Sequence, residues 1–247
     1  MLGLTGIGHA HCSASSQLAI VVPISKRKAA TASMKLHSVN VSGLTQIMHQ
    51  GELVSTGIFK HSVAEPVSVG LVQIAGDKQA DLVNHGGEDK AVYGYPAEHY
   101  AFWAEVLGRD DFEPGQFGEN LTTEGVLESE LSIGDRLRIG SVLLEVSQPR
   151  VPCFKLNIRM KSPTFSKVFL KSGLVGFYFR VIETGTLQAG DAITLFPTRH
   201  PRVTITDAVR TRFFDTRNDD MIDRLLNNPA LSVVWRRDFE ILREKAR

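Results

Sequence analysis

The sequence predicts a mainly β protein, a barrel or sandwich carrying peripheral helices and followed by a small α-helical subdomain. Three observations predict it. Between residues 34 and 200, apolar residues alternate over short runs separated by turn residues, which is the period of half-buried strands. Two stretches inside that region switch to helical spacing. Beyond Pro201 glycine becomes scarce and charged residues at helical spacing take over. Many short strands with turns between them favour a barrel or sandwich over a parallel α/β sheet.

The elements follow in order. "PVSVGLVQI" alternates through Val67, Val69 and Leu71 as one strand. "YPAEHYAFWAEVLG" reads as a helix, with Pro96 in its first turn, Ala97, Tyr100, Ala101, Ala104 and Leu107 on one face, and Gly108 as the stop. "DRLRIGSVLLEVSQP" reads as a hairpin, Leu137 and Ile139 before a Gly140–Ser141 turn and Val142, Leu144 and Val146 after it. "SPTFSKVFLKSG" is a second helix, capped by Ser162 and ended by Gly173. "GFYFRVIETG" and "GDAITLF" form a further strand pair. The region 201–247 holds three short helices, near Ile205 to Phe213, Asp219 to Asn227 and Ser232 to Lys245, with Pro229 between the last two.

Residues 1–33 contain no acid, and "LAIVVPI" precedes Lys26, Arg27 and Lys28. A secretory signal has the opposite order. This stretch is expected to be a disordered leader, a transit segment or an extension from a start placed upstream of Met34. No apolar run approaches the roughly 20 residues that span a bilayer, so no membrane partner is expected.

The 247 residues are 43% hydrophobic and 22% charged, enough for one large domain and an appendage. The net charge of +1 gives no basis for nucleic acid as a partner. Two cysteines, Cys12 and Cys153, make no disulfide framework, which points to a reducing, cytoplasmic setting. The phosphate-loop, dinucleotide and HExxH patterns are all missing.

One local asymmetry stands out against this average. From Gln148 to Ile182 there is no Asp or Glu, while Arg150, Lys155, Arg159, Lys161, Lys167, Lys171 and Arg180 all fall there. Cys153 sits among them in "QPRVPCFKLNIRMKS". Nearby cations favour the thiolate, the form that attacks electrophiles and binds soft metals. Pro149 and Pro152 make the segment stiff and extended, suited to holding a side chain at a strand end. In "VNHGGEDKAVYGYPAEHY", Gly86 and Gly87 permit close backbone approach, Lys90 can donate to a phosphate, and His85 suits proton transfer near neutral pH. In "GQFGENLTTEG", Asn120 can donate and accept at once.

Taken in this order and spacing, "HGGEDKAVYGYPAEHY", "FGENLTTEG" and "SQPRVPCFKLN" resemble the MOSC-domain family, and its bacterial branch associated with resistance to 6-hydroxylaminopurine. The resemblance covers the chain from about Met34 to its end, including a three-helix tail. It implies a MOSC-type β-barrel over 34–200 with a helical subdomain over 201–247. It further implies a molybdenum cofactor (molybdopterin), with Cys153 as ligand to molybdenum or carrier of sulfur. Arg150 and Lys155, then Lys90, Asn120 and Arg159, would bind that cofactor, and His85 would donate a proton. The implied activity is reduction of N-hydroxylated bases to amines with electrons from a separate reductase. The alternatives are a non-catalytic cofactor or sulfur carrier, and a metal-free thiol transferase. The oligomeric state is not implied.

Overall fold

The computed structural model describes residues 33–80 and 86–246. In chain order its strands are β1 (Lys35–Val41), β2 (Thr45–His49), β3 (Glu52–Thr56), β4 (His61–Val63), β5 (Val67–Val69), β6 (Val92–Pro96), β7 (Leu121–Glu124), β8 (Arg136–Ile139), β9 (Val142–Pro149), β10 (Phe177–Glu183), β11 (Gly185–Leu187) and β12 (Ile193–Phe196). The α-helices are α1 (Glu98–Leu107), α2 (Phe154–Arg159), α3 (Phe165–Ser172), α4 (Ile205–Phe213), α5 (Asp219–Leu226) and α6 (Val233–Ala246).

Eight strands form one mixed sheet in the order β12-β8-β9-β10-β6-β7-β1-β4. Every neighbouring pair is antiparallel except β6 and β7, which run parallel with α1 as their crossover. The ladder is not closed into a barrel. Its far strands nevertheless approach, since a bridge joins Lys35 to Ala192 and Ile193 N donates to Met34 O at 2.9 Å. Two smaller sheets, β2–β3 and β5–β11, flank it.

The sequence hairpin is present as β8–β9, with Ile139 opposite Val142 across Gly140 at φ 54°. Other expectations need correcting. The strand read through Leu71 stops at Val69, and Leu71 is 60% exposed in the turn that follows. β10 and β12 do not pair with each other; β10 lies between β9 and β6, and β12 pairs with β8. Local alternation marks each strand but carries no information on its distant partner. Pro96 closes β6 instead of opening α1, whose buried residues are His99 and Trp103. Gly108 does end that helix, left-handed at φ 59°. α3 begins two residues later than Ser162 implies, with Thr164 at its cap position and Gly173 left-handed at φ 74°.

The core lies between the sheet and α1 and α3. Tyr95, Trp103, Phe117, Phe165 and Phe169 are all buried. Their ring centroids stand 4.6 Å apart for Tyr95–Phe117 and 5.0 Å for Trp103–Phe165. Each such side chain contributes about 1.5–3 kcal/mol by leaving water. The same core continues into the tail, where Ile222, Leu225, Trp235 and Phe239 are buried among the helices. α4 starts on a capping box in which Thr204 and Asp207 satisfy each other's backbone N–H. The tail is tied to the sheet by Ser232 N donating to Ser147 O at 3.1 Å and Arg180 donating to Ala230 O at 3.0 Å. Among the described residues no helix is long and apolar enough to cross a membrane.

Candidate functional site

The central strand β9 ends at Pro149, and the chain leaves the sheet through Arg150, whose backbone N–H still donates to Gly176 O at 3.3 Å. Three residues later Cys153, extended at φ −120° and ψ 176°, caps α2, and its carbonyl accepts from Leu156 N at 3.0 Å. The thiol is half-buried on the wall of a cavity of about 100 Å³ that opens to solvent. The sequence-predicted residues Lys90, Asn120, Arg150, Cys153 and Lys155 all line this one cavity.

Arg150 is the fixed charge of the site. It is 6% exposed, its guanidinium lies over the Tyr93 ring at 4.7 Å and the Phe169 ring at 5.6 Å, and it donates to Tyr93 Oη at 3.2 Å. Burial opposes its charge, but Tyr93, Tyr178 and Cys153 around it outweigh that and hold its pKa above the ordinary arginine value. Burial pushes the Tyr93 and Tyr178 phenols up, so both stay protonated. Tyr93 spends its proton on Val175 O at 2.9 Å.

Asn120 lines the cavity but is committed to the protein. Its Nδ2 donates to Asp77 Oδ2 at 2.9 Å, and its Oδ1 accepts from Tyr93 N at 3.1 Å. It positions the wall. Lys90 ends a 3-10 turn, Glu88–Lys90, whose last carbonyl accepts from Gln79 at 3.2 Å. Arg159 is on the last turn of α2 and is not among the lining residues; its guanidinium lies over Phe59 at 5.3 Å, and burial lowers its pKa. His85 lies outside the described residues, as do Cys12 and the rest of 1–32.

Sequence reasoning missed two further lining residues. Lys60 and Asp77, 8% and 4% exposed, form an ion pair, and Asp77 also accepts from Ser42 N at 3.0 Å. Two chain segments meet closely at the cavity wall, since a Cβ on Gly57 would stand 2.1 Å from Lys78 O. Neither Lys60 nor Asp77 has a flanking pattern in the sequence, and only the meeting of these loops pairs them.

Among the described residues no group of three or more His, Cys, Asp or Glu side chains is placed to hold a metal ion. A metal at Cys153 would need its other donors from the molecule that brings it. The cavity has one soft sulfur donor, a fixed guanidinium and four lysines, Lys60, Lys78, Lys90 and Lys155, which suits a metal carried by an anionic organic group. A larger groove of about 770 Å³ lies between β8, β12 and Pro229. Its Arg136 and Arg138 are tied to Glu145 and Glu183 at 2.8 and 2.7 Å, and no thiol faces it.

Residues 81–194 match the MOSC domain, and residues 203–246 match the YiiM-like, 3-alpha helix domain. The chain is 39% identical over 202 residues to the uncharacterized protein YflK of Bacillus subtilis, covering 82% of this chain and 91% of that one. It is 35% identical over 201 residues to protein YiiM of Escherichia coli, covering 81% and 83%. A protein named reductase from Gibberella moniliformis is 37% identical over 163 residues, which is 65% of this chain and 29% of that one. The crystal structure of YiiM from Geobacillus stearothermophilus superposes with a TM-score of 0.72 at 34% identity, covering 85% of this chain and 98% of that one. The chain therefore belongs to the MOSC-domain family, in the group that carries a YiiM-like three-helix domain behind the MOSC domain.

Proposed function

We propose that the protein binds the molybdenum cofactor at the Cys153 cavity and reduces N-hydroxylated bases to amines, with electrons from a separate reductase. The observation that carries this reading is the placement of Cys153 and Arg150 on one solvent-open cavity together with Lys90 and Lys155. The name of the Gibberella relative, reductase, supports a redox role.

The chain's own residues have distinct tasks in this scheme. The Cys153 thiolate is the protein's ligand to the metal, because a soft anion beside a fixed cation is the donor such a metal takes. Arg150 is held rigidly by its two ring contacts and serves as the preorganised cation for the cofactor's phosphate, while Lys90 and Lys155 add movable charges. When bound, the cofactor supplies the two-electron chemistry that accepts oxygen. Overall, R–NHOH takes two electrons and two protons and leaves as R–NH2 and water, so the cavity must deliver protons as well as hold charge.

The test uses protein purified from a cofactor-producing host. The wild type should contain molybdenum and pterin and, with a reduced viologen, convert an N-hydroxylated purine to the aminopurine. Cys153→Ser should lose the metal. Wild type that holds the cofactor but leaves the purine unchanged would establish the carrier reading instead, and wild type without molybdenum would sink both.

A further inference from the structure

Resting on the reading above, we propose that Lys60, held in place by Asp77, is the group that delivers a proton to the oxygen leaving the substrate. Both side chains are more than nine-tenths buried and both line the Cys153 cavity. Asp77 is itself fixed, accepting from Ser42 N at 3.0 Å and from Asn120 Nδ2 at 2.9 Å, so it holds the ammonium at one place. Among the described residues Asp77 is the hydrogen-bond partner of Lys60 Nζ. An ammonium carries three N–H bonds, which leaves donors for whatever enters the cavity.

The other cavity groups are less suited. Arg150 does not deprotonate, and the proton of Tyr93 is spent on Val175 O. Lys78, Lys90 and Lys155 are exposed or half-buried, so water solvates their charge. Lys60 differs because burial lowers its pKa; Asp77 and Glu119 oppose that shift and Arg150 adds to it. Among the described residues Tyr178 and Cys153 complete the titratable groups that line the cavity. A buried ion pair is also a weak source of stability, since an apolar pair of the same volume does as well.

The step balances as follows. The N–O bond of R–NHOH breaks and two electrons arrive from the external reductant. Lys60 gives one proton to the departing oxygen, and solvent gives the second to nitrogen. Water and R–NH2 leave, and Lys60 regains its proton through the open mouth.

The test compares wild type with Lys60→Arg, which keeps the charge but gives up no proton, and with Lys60→Met/Asp77→Leu, which strands no buried charge. Expected are unchanged molybdenum content and a KM within threefold for Lys60→Arg, with kcat reduced about 100-fold, the scale of general-acid catalysis. The alkaline limb of the wild-type kcat profile should vanish in the variant. In apo protein, the Lys60 Nζ resonance should titrate below ordinary lysines and shift when an aminopurine is added. A Lys60→Arg kcat within threefold of wild type, or a resonance untouched by the purine, overturns the proposal. So does loss of activity in His85→Gln with none in the Lys60 variants. Loaded wild type that fails to turn over at all identifies failure of the underlying reading, and the inference falls with it.

Discussion

Replacing Arg150 by methionine separates its task as an anion ligand from any structural one. Its guanidinium is 6% exposed; it rests on Tyr93 and Phe169, donates to Tyr93 Oη, and has Tyr178 and Cys153 beside it. The substitution loses one hydrogen bond from a charged donor, about 1.5–3 kcal/mol, and a desolvated cation–π contact of about 2 kcal/mol. It also removes the cost of burying a charge, several kcal/mol, and Met fills similar space. These effects nearly cancel. The variant should fold with stability within about 2 kcal/mol of wild type, a shift of under roughly 8 °C in Tm for a chain of this size.

Binding should respond very differently. Losing one charge-assisted hydrogen bond to a phosphate costs about 1.5–3 kcal/mol, or about 10- to 150-fold in affinity. Calorimetric titration with inorganic phosphate, alongside thermal unfolding of the apo protein, reads both quantities. Arg150→Lys should recover only part of the affinity, because an ammonium does not reproduce the stacked planar fork. If the Met variant is destabilised by more than about 4 kcal/mol, or binds phosphate as tightly as wild type, the guanidinium is a structural tie and the reasoning fails.

Three further outcomes follow from the packing. Gly94→Ala should lower the urea midpoint by an amount equivalent to about 1–3 kcal/mol, because the added Cβ would stand 2.6 Å from Phe177 Cε2 and 2.9 Å from Phe179 Cε2. Burial raises the pKa of all four tyrosines of the chain, Tyr93, Tyr95, Tyr100 and Tyr178. The unfolded phenols ionise near pH 10 while the folded ones do not, so above that pH the unfolded state binds fewer protons and stability falls by about 1.4 kcal/mol per pH unit for each tyrosine. Tyrosinate absorbance should therefore appear only together with unfolding; a gradual rise in an intact fold would contradict this. Thr204→Ala should cost about 0.5–2 kcal/mol, measured by denaturant unfolding, because Asp207 N–H loses its acceptor Thr204 Oγ1 at the start of α4 while the return bond from Thr204 N–H to Asp207 stays.

The sequence made some parts of this molecule readable for physical reasons. Lys90, Asn120, Arg150, Cys153 and Lys155 come from three short motifs, and each motif is a local arrangement of turn residues, cations and a thiol. The cavity brings these five together. Helix α2 was not readable, because Pro149 and Pro152 imply extended chain and the helix begins directly after Cys153. Lys60 and Asp77 were hidden for another reason. They stand 17 residues apart on loops whose meeting depends on non-local contacts, such as the close pass of Gly57 under Lys78 O. The tail helices were clear because amphipathic spacing and caps are local, whereas the partners of β10 and β12 are set by sheet order.

The parallel pair β6–β7 ties together the cavity wall that carries Tyr93, Asn120 and Asp77. Asn120 precedes β7 by one residue and extends its ladder, donating its backbone N–H to Tyr93 O at 2.8 Å while its side chain accepts from Tyr93 N at 3.1 Å. Tyr93 carries Arg150 on its ring, and Asn120 grips Asp77, which grips Lys60. One strand register thus sets the positions of both buried cations, while Lys90 and Lys155 sit on short helical turns at the cavity wall. A ligand entering this space meets two buried charges, Arg150 and Lys60, and the more exposed Lys90 and Lys155. Displacing β7 by one residue would exchange the faces of Asn120 and Leu121 and break both arms of the clasp at once.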